Sequence, residues 1–132
     1  MSLPLSDDFV LDHIAIAVKS IAITQKIYED MGLTFSNLIE EVKEQKVLTS
    51  FAQIDQNAHI ELLQPTSDES TIHKFIESKG EGIHHLCFKV PDVKAKTFEL
   101  HRKDINLFIQ NQGLVPVAAW LILFIQNQLG EF

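Results

Sequence analysis

Three residues of this 132-residue chain carry the side-chain chemistry of a transition-metal site: His13, Glu61 and His85. The two histidines head stretches of the same pattern, His13-Ile14-Ala15-Ile16-Ala17-Val18 and His85-Leu86-Cys87-Phe88-Lys89-Val90, at a sequence offset of 72. Glu61 lies in Ala58-His59-Ile60-Glu61-Leu62-Leu63, where a carboxylate between two branched aliphatics on a strand must face water or a functional cavity. Taken singly, each has an ordinary explanation: a hydrogen-bonded histidine in a sheet, or a glutamate on a half-exposed strand. Taken together, two imidazoles at equivalent repeat positions and a carboxylate on a neighbouring strand form a nitrogen and oxygen set suited to a divalent metal. Cobalt, nickel, manganese and zinc would all be accepted.

The elements that must position these residues follow from the patterning. Strand alternation sets His13 with Ala15 and Ala17 on a light face and Ile14, Ile16 and Val18 on a bulky one, and the second copy has the same parity. The offset persists beyond the strands, with Val18 matching Val90, Ser20 matching Asp92 and Tyr28 matching Leu100. Ser20 and Asp92 are N-cap residues, so each copy runs from strand into helix. The first helix is expected to bury Ile21, Thr24, Ile27, Tyr28 and Met31 and to stop at Gly32. Val47 to Ile54 and Ala58 to Leu63 read as strands joined at Asp55-Gln56-Asn57, with Pro65 closing the second. Ser67 or Asp68 is expected to cap a linking helix with Ile72, Phe75 and Ile76 on one face. The expected organisation is a single domain over 1–132: a first module at about 11–65, the linking helix at about 67–80 and a second module at about 83–132.

Composition excludes several classes. At 45% hydrophobic and 22% charged the chain is an ordinary globular protein, and a net charge of −7 without a basic run argues against a nucleic-acid surface. A lone cysteine, Cys87, leaves no internal disulfide and fits a reducing compartment. Asp7 and Asp8 interrupt the N-terminal segment where a signal peptide would need an apolar run, and Leu114 to Ile125 is too short to span a bilayer. These features make the cytoplasm the expected location.

Several stretches resemble the vicinal oxygen chelate superfamily, which includes glyoxalase I, methylmalonyl-CoA epimerase, extradiol dioxygenases and bleomycin-resistance proteins. They are Leu11 to Val18, Tyr28-Glu29-Asp30-Met31-Gly32-Leu33, Ile60 to Pro65, and Ile72-His73-Lys74-Phe75 through Gly80-Glu81-Gly82-Ile83-His84-His85-Leu86. The last is most similar to the epimerases. The resemblance implies an α+β fold of two paired βαβββ modules forming a cup-shaped mixed sheet around a divalent metal. It carries the metal ligands onto His13, Glu61 and His85, with His84 structural or outward-facing and His59, His73 and His101 ordinary histidines. A catalytic carboxylate in a Glu-Gln pair maps to Glu44-Gln45, ahead of Glu61 at a spacing similar to the family's. The family's fourth ligand would follow Glu61 by the repeat offset, one position past Phe132; either Glu131, on the same strand face, serves instead, or the site is incomplete with water at that position. The implied chemistry is proton transfer through a metal-stabilised enolate, with methylmalonyl-CoA, a thioester, as substrate. Glyoxalase I, a lactoylglutathione lyase, and metal-free small-molecule binding are the alternatives; a homodimer is the implied assembly.

The C-terminal quarter departs from the resemblance. Leu107-Phe108-Ile109-Gln110-Asn111-Gln112 recurs word for word from Leu123 to Gln128, and Leu114 to Ile125 lacks alternation, as a strand buried on both faces would.

Overall fold

The computed structural model describes residues 3–4, 10–103 and 119–124. In chain order these form β1 (Val10–Ala17), α1 (Ile21–Asp30), β2 (Glu40–Val42), β3 (Val47–Gln53), β4 (His59–Pro65), α2 (Thr71–Lys79), β5 (Gly82–Val90), α3 (Val93–Arg102) and β6 (Ala119–Phe124). The strands make one open mixed sheet in the order β2-β3-β4-β1-β5-β6. Only β1 and β4 run parallel, the crossover through α1 and the β2–β3 hairpin carrying the chain back to the same end. The first unit is thus complete. Of the second, the described residues give β5, α3 and β6, and β6 pairs antiparallel with β5 where β4 pairs parallel with β1. Glu131, the first copy of the repeated hexapeptide and most of the second lie outside the described residues.

The antiparallel register of β1 on β5 respects the sequence repeat. His13 opposes Cys87 and Ala15 opposes His85; moving one partner forward and the other back by the repeat offset turns the first pair into the second. Leu11↔Phe88 and Ile16↔Ile83 are images in the same way, and Ile14↔Leu86 is its own image, so a local two-fold axis passes between Ile14 and Leu86. The register slips at two places, skipping Asp12 on β1 and His84 on β5, and these two positions are again related by the repeat.

The two sheet faces are packed differently. On the outer face Ile16, Val18, Leu48, Ala52, Ile60 and Leu62 meet Ile21 and Tyr28 of α1 together with Phe35. On the face that carries His13 and Glu61, Ala15, Ala17, Val47 and Leu63 lie under Ile72, Phe75 and Ile76 of α2. The small alanines therefore make room for a helix. The linking helix is a cover over one end of this face, which leaves the histidine end clear of it.

Two expectations need correction. Ile27 and Met31 are 56% and 73% exposed, because at 100° per residue Ile27 stands roughly 120° round the helix from Ile21. The inward stripe is Ile21, Thr24, Gln25 and Tyr28, and Gln25 meets the sheet by accepting the Ser50 Oγ hydrogen at 2.9 Å. The cap of α2 is Ser70 rather than Ser67 or Asp68: its Oγ accepts from Ile72 N at 3.2 Å. Ser20 and Asp92 do cap α1 and α3, accepting from Ile23 N and Ala95 N. No helix among the described residues is long and apolar enough to cross a membrane.

Leu62 is fully buried at the centre of the outer core. Leu62→Ala should therefore cost about 2–5 kcal/mol in denaturant unfolding, whereas Ile27→Ala, on the exposed side of α1, should change stability by less than about 1 kcal/mol.

Candidate metal centre

The centre begins with the irregularity at Asp12. Strict alternation would send Asp12 and His13 to opposite faces, but the extra residue in β1 breaks the alternation and lets the two side chains meet. Asp12 is buried, and its Oδ2 lies 2.7 Å from His13 Nδ1. A carboxylate only accepts, so the proton sits on Nδ1, and in the neutral ring Nε2 presents a bare lone pair. That nitrogen lies 3.2 Å from Glu61 Oε2 and 3.4 Å from His85 Nε2. β4 carries Glu61 there because Ala15 opposes Glu61 in the parallel ladder, and β5 carries His85 there because Ala15 also opposes His85.

The donor set fits a cation. Electron-pair donors at these separations repel one another unless a proton or a metal ion lies among them. Ligand atoms bonded at about 2.0–2.1 Å in a tetrahedral set stand roughly 3.3–3.4 Å from one another, close to the two separations observed around His13. Two imidazoles and a carboxylate form an intermediate donor set, matched to first-row divalent ions.

Burial favours the neutral form of each group here, which frees the His84 and His85 nitrogens but works against the Glu61 carboxylate. Burial lowers the His85 pKa to about 3, with His84 and His13 adding to the effect, so the ring is neutral at ordinary pH. Burial alone lowers that of His84 to about 4. Burial raises the pKa of Glu61; His13 opposes the shift, while Asp12 and Glu40 add to it. Cys87, opposite His13, has its thiol pushed up to about 12 by burial, with Asp12 and Glu61 contributing, which makes it an inert neighbour.

Four residues near the centre differ from their expected parts. Asp12 has no expected part at all, since alternation hides it; its adjacency to His13 is the only signal the sequence offers. His84 does not face outward: its Nδ1 lies 2.9 Å from His85 Nδ1, and its ring stands edge-on to Phe75 with centroids 4.9 Å apart. His59 is no ordinary surface histidine, for it stacks on His13 at 5.2 Å and offers a nitrogen within 4.8 Å of His13 and Glu61 ligand atoms. Glu40 opposes Thr49, which opposes Leu63, and so shares the face of Glu61. His73 and His101 remain peripheral; His73 lies 3.8 Å from both Asp68 and Glu77, and His101 is exposed.

Glu44 occupies the exposed turn between β2 and β3, level with the end of β4 where Val47 opposes Pro65. The turn is braced. Thr66 N donates to Lys46 O at 2.8 Å, Ser70 Oγ donates to Gln45 O at 3.3 Å, and Lys46 pairs with Glu69. Lys46 sits at φ +55°, the left-handed conformation the tight return needs.

In metal-free protein the folded state refuses protons at His84 and His85 that the unfolded chain accepts near pH 6.5, so stability is full above pH 6.5 and falls as pH drops toward 4. The slope is at most roughly 1.4 kcal/mol per pH unit for each group. The raised pKa of Glu61 works oppositely, since the folded state takes its proton first. Melting temperatures across this window should show a shallower decline for His84→Gln, which keeps Glu61 and loses one histidine.

Comparison with known proteins places the chain in a family. Residues 12–124 match the family model described as Glyoxalase/Bleomycin resistance protein/Dioxygenase superfamily. The chain is 44% identical over 79 residues to the uncharacterized protein YqjC of Bacillus subtilis, covering 59% of this chain and 55% of YqjC. It is 31% identical over 116 residues to an ethylmalonyl-CoA/methylmalonyl-CoA epimerase of Cereibacter sphaeroides, covering 87% of this chain and 86% of the relative. Of YqjC and of the mitochondrial methylmalonyl-CoA epimerases that also match, the chain spans about half the length, 54–58%. Among solved structures, a hypothetical protein of Bacillus halodurans superposes with a TM-score of 0.68 at 36% identity, over 82% of this chain and 76% of that one. The chain belongs to the Glyoxalase/Bleomycin resistance protein/Dioxygenase superfamily.

Proposed function

We propose that this chain is a metal-dependent isomerase that epimerises a methylmalonyl-CoA-type thioester through an enolate. The observation that carries the proposal is the meeting of His13 Nε2 with Glu61 and His85, and the likeness to a named epimerase over most of both chains supports it. His13, Glu61 and His85 would hold the ion, with Glu131 as the fourth ligand. When bound, the ion supplies positive charge to two neighbouring substrate oxygens and so makes the intervening carbon more acidic.

The rest of the reaction falls to side chains. Removal of a proton from a carbon between a thioester and a carboxylate needs a positioned base, and Glu44, on its braced turn, is assigned that part. The small side chains of Ala15 and Ala17 leave the floor of the face low, while α2 closes one end against water. Inversion also requires a second group on the opposite face of the enolate to return a proton to the same carbon. The proposed setting is cytoplasmic, with the chain acting as a homodimer.

Purified protein should contain or take up a stoichiometric divalent metal ion and, so loaded, should place solvent deuterium on the α-carbon of methylmalonyl-CoA, read by mass spectrometry. Absence of exchange, with turnover of the glutathione hemithioacetal of methylglyoxal instead, would make the chain a lactoylglutathione lyase. Glu44→Gln should leave metal uptake intact and lower exchange by about 100-fold or more. Loss of exchange in Glu40→Gln with normal exchange in Glu44→Gln would transfer the base to Glu40.

A further inference from the structure

We infer that Asp12 and His84 are paired positioning residues, one for each histidine of the centre, and that their different chemistry makes His13 the firm ligand and His85 the exchangeable one. The inference rests on the proposed metal reading for its consequence, but its geometry stands independently. Both residues fall at register slips in the β1–β5 ladder, both precede a histidine of the centre, and each is the other's counterpart in the repeat. Each contacts the Nδ1 of the histidine that follows, Asp12 at 2.7 Å and His84 at 2.9 Å. The duplicated backbone device is the same; only the acceptor differs.

Asp12 can only accept, so it fixes the proton of His13 on Nδ1 and turns Nε2 toward Glu61 and His85. Its negative charge also makes His13 the better electron donor. The His84 imidazole, unlike a carboxylate, can accept or donate at Nδ1 according to its tautomer. For His85 Nε2 to bind a metal ion, His85 must carry its proton on Nδ1, and His84 must then accept at Nδ1 and keep its own proton on Nε2. His84 also lies edge-on to Phe75 of α2, which fixes its ring plane. Asp12 therefore dictates one tautomer, whereas His84 permits two.

Nitrogen-15 NMR of the zinc-loaded protein should show Nδ1–H for His13 and His85 and Nε2–H for His84. Asp12→Ala should abolish the single tautomer of His13 without changing His85, and should weaken cobalt affinity by about 10–100-fold. His84→Ala should do the same to His85 with a smaller loss of affinity. His84→Gln should restore the His85 tautomer, because its amide oxygen accepts, and His84→Asp should bind cobalt more tightly than the parent. A change confined to melting temperature, with tautomers and affinity unmoved in both alanine variants, would overturn the inference while leaving the metal reading intact. If the parent binds no metal at all, that reading fails; the His13 tautomer in metal-free protein then decides the inference alone, and an Nε2–H form there would overturn it.

Discussion

The antiparallel ladder between β1 and β5 is the constraint on which the rest depends. Because its register is carried onto itself by the internal repeat, each copy of the unit meets the other in the same way. The histidines come together as a geometrical necessity: Ala15 is opposed by His85 on one side and by Glu61 on the other, so one short side chain lies between the two donors. A slip of one residue would send His85 to the face packed by α1, away from His13. The buried aliphatic layer under α1 holds that register, since each strand has only one face bulky enough to fill it.

The same face is asked to do two things, and it divides them along its length. At the end of β4 near Pro65, α2 seals the sheet with Ile72, Phe75 and Ile76. Toward the start of β1 the polar residues take over, with Asp12, His13, His59 and Glu61 in a cluster next to Cys87. Among the described residues no buried side-chain nitrogen or oxygen lacks a partner, which is how a cluster so rich in polar atoms is tolerated inside a sheet. The N-terminus of α1 ties these regions together: Ile21 N donates to Gln64 Oε1 at 2.8 Å, and Lys19 N donates to Glu81 Oε1 at 2.6 Å.

Much of this was legible in the residues. The period-two pattern gave β1, β3, β4 and β5, the cap residues gave the starts of α1 and α3, the repeat paired His13 with His85, and a carboxylate between Ile60 and Leu62 singled out Glu61. The irregularities were not legible. A bulge is one extra residue with no compositional mark, so strict alternation hid Asp12 and left His84 as structural or outward-facing. Ile27 was drawn into the core by its hydrophobicity against its angular position and Met31 by a stripe that outruns the helix, which ends at Asp30, while Gln25 was overlooked because a polar residue can satisfy a buried Ser50. His59 was set aside because it matches no ligand position of the family, although it lies next but one to Glu61 on the same face.

The wide separation along the chain of the strands that build the centre has a kinetic consequence. β3 and β4 form a hairpin across a short turn, but His13 and His85 meet only when the long loop between them has closed, a late and entropically costly event. The centre is thus absent from every partly folded form that lacks the β1–β5 ladder. Such forms hold at most His13, His59 and Glu61, so His85 joins an ion only in a chain that has formed that ladder. Any stabilisation an ion provides is then directed at that last docking step, and amides of β5 should gain hydrogen-exchange protection on metal addition more than those of the β3–β4 hairpin.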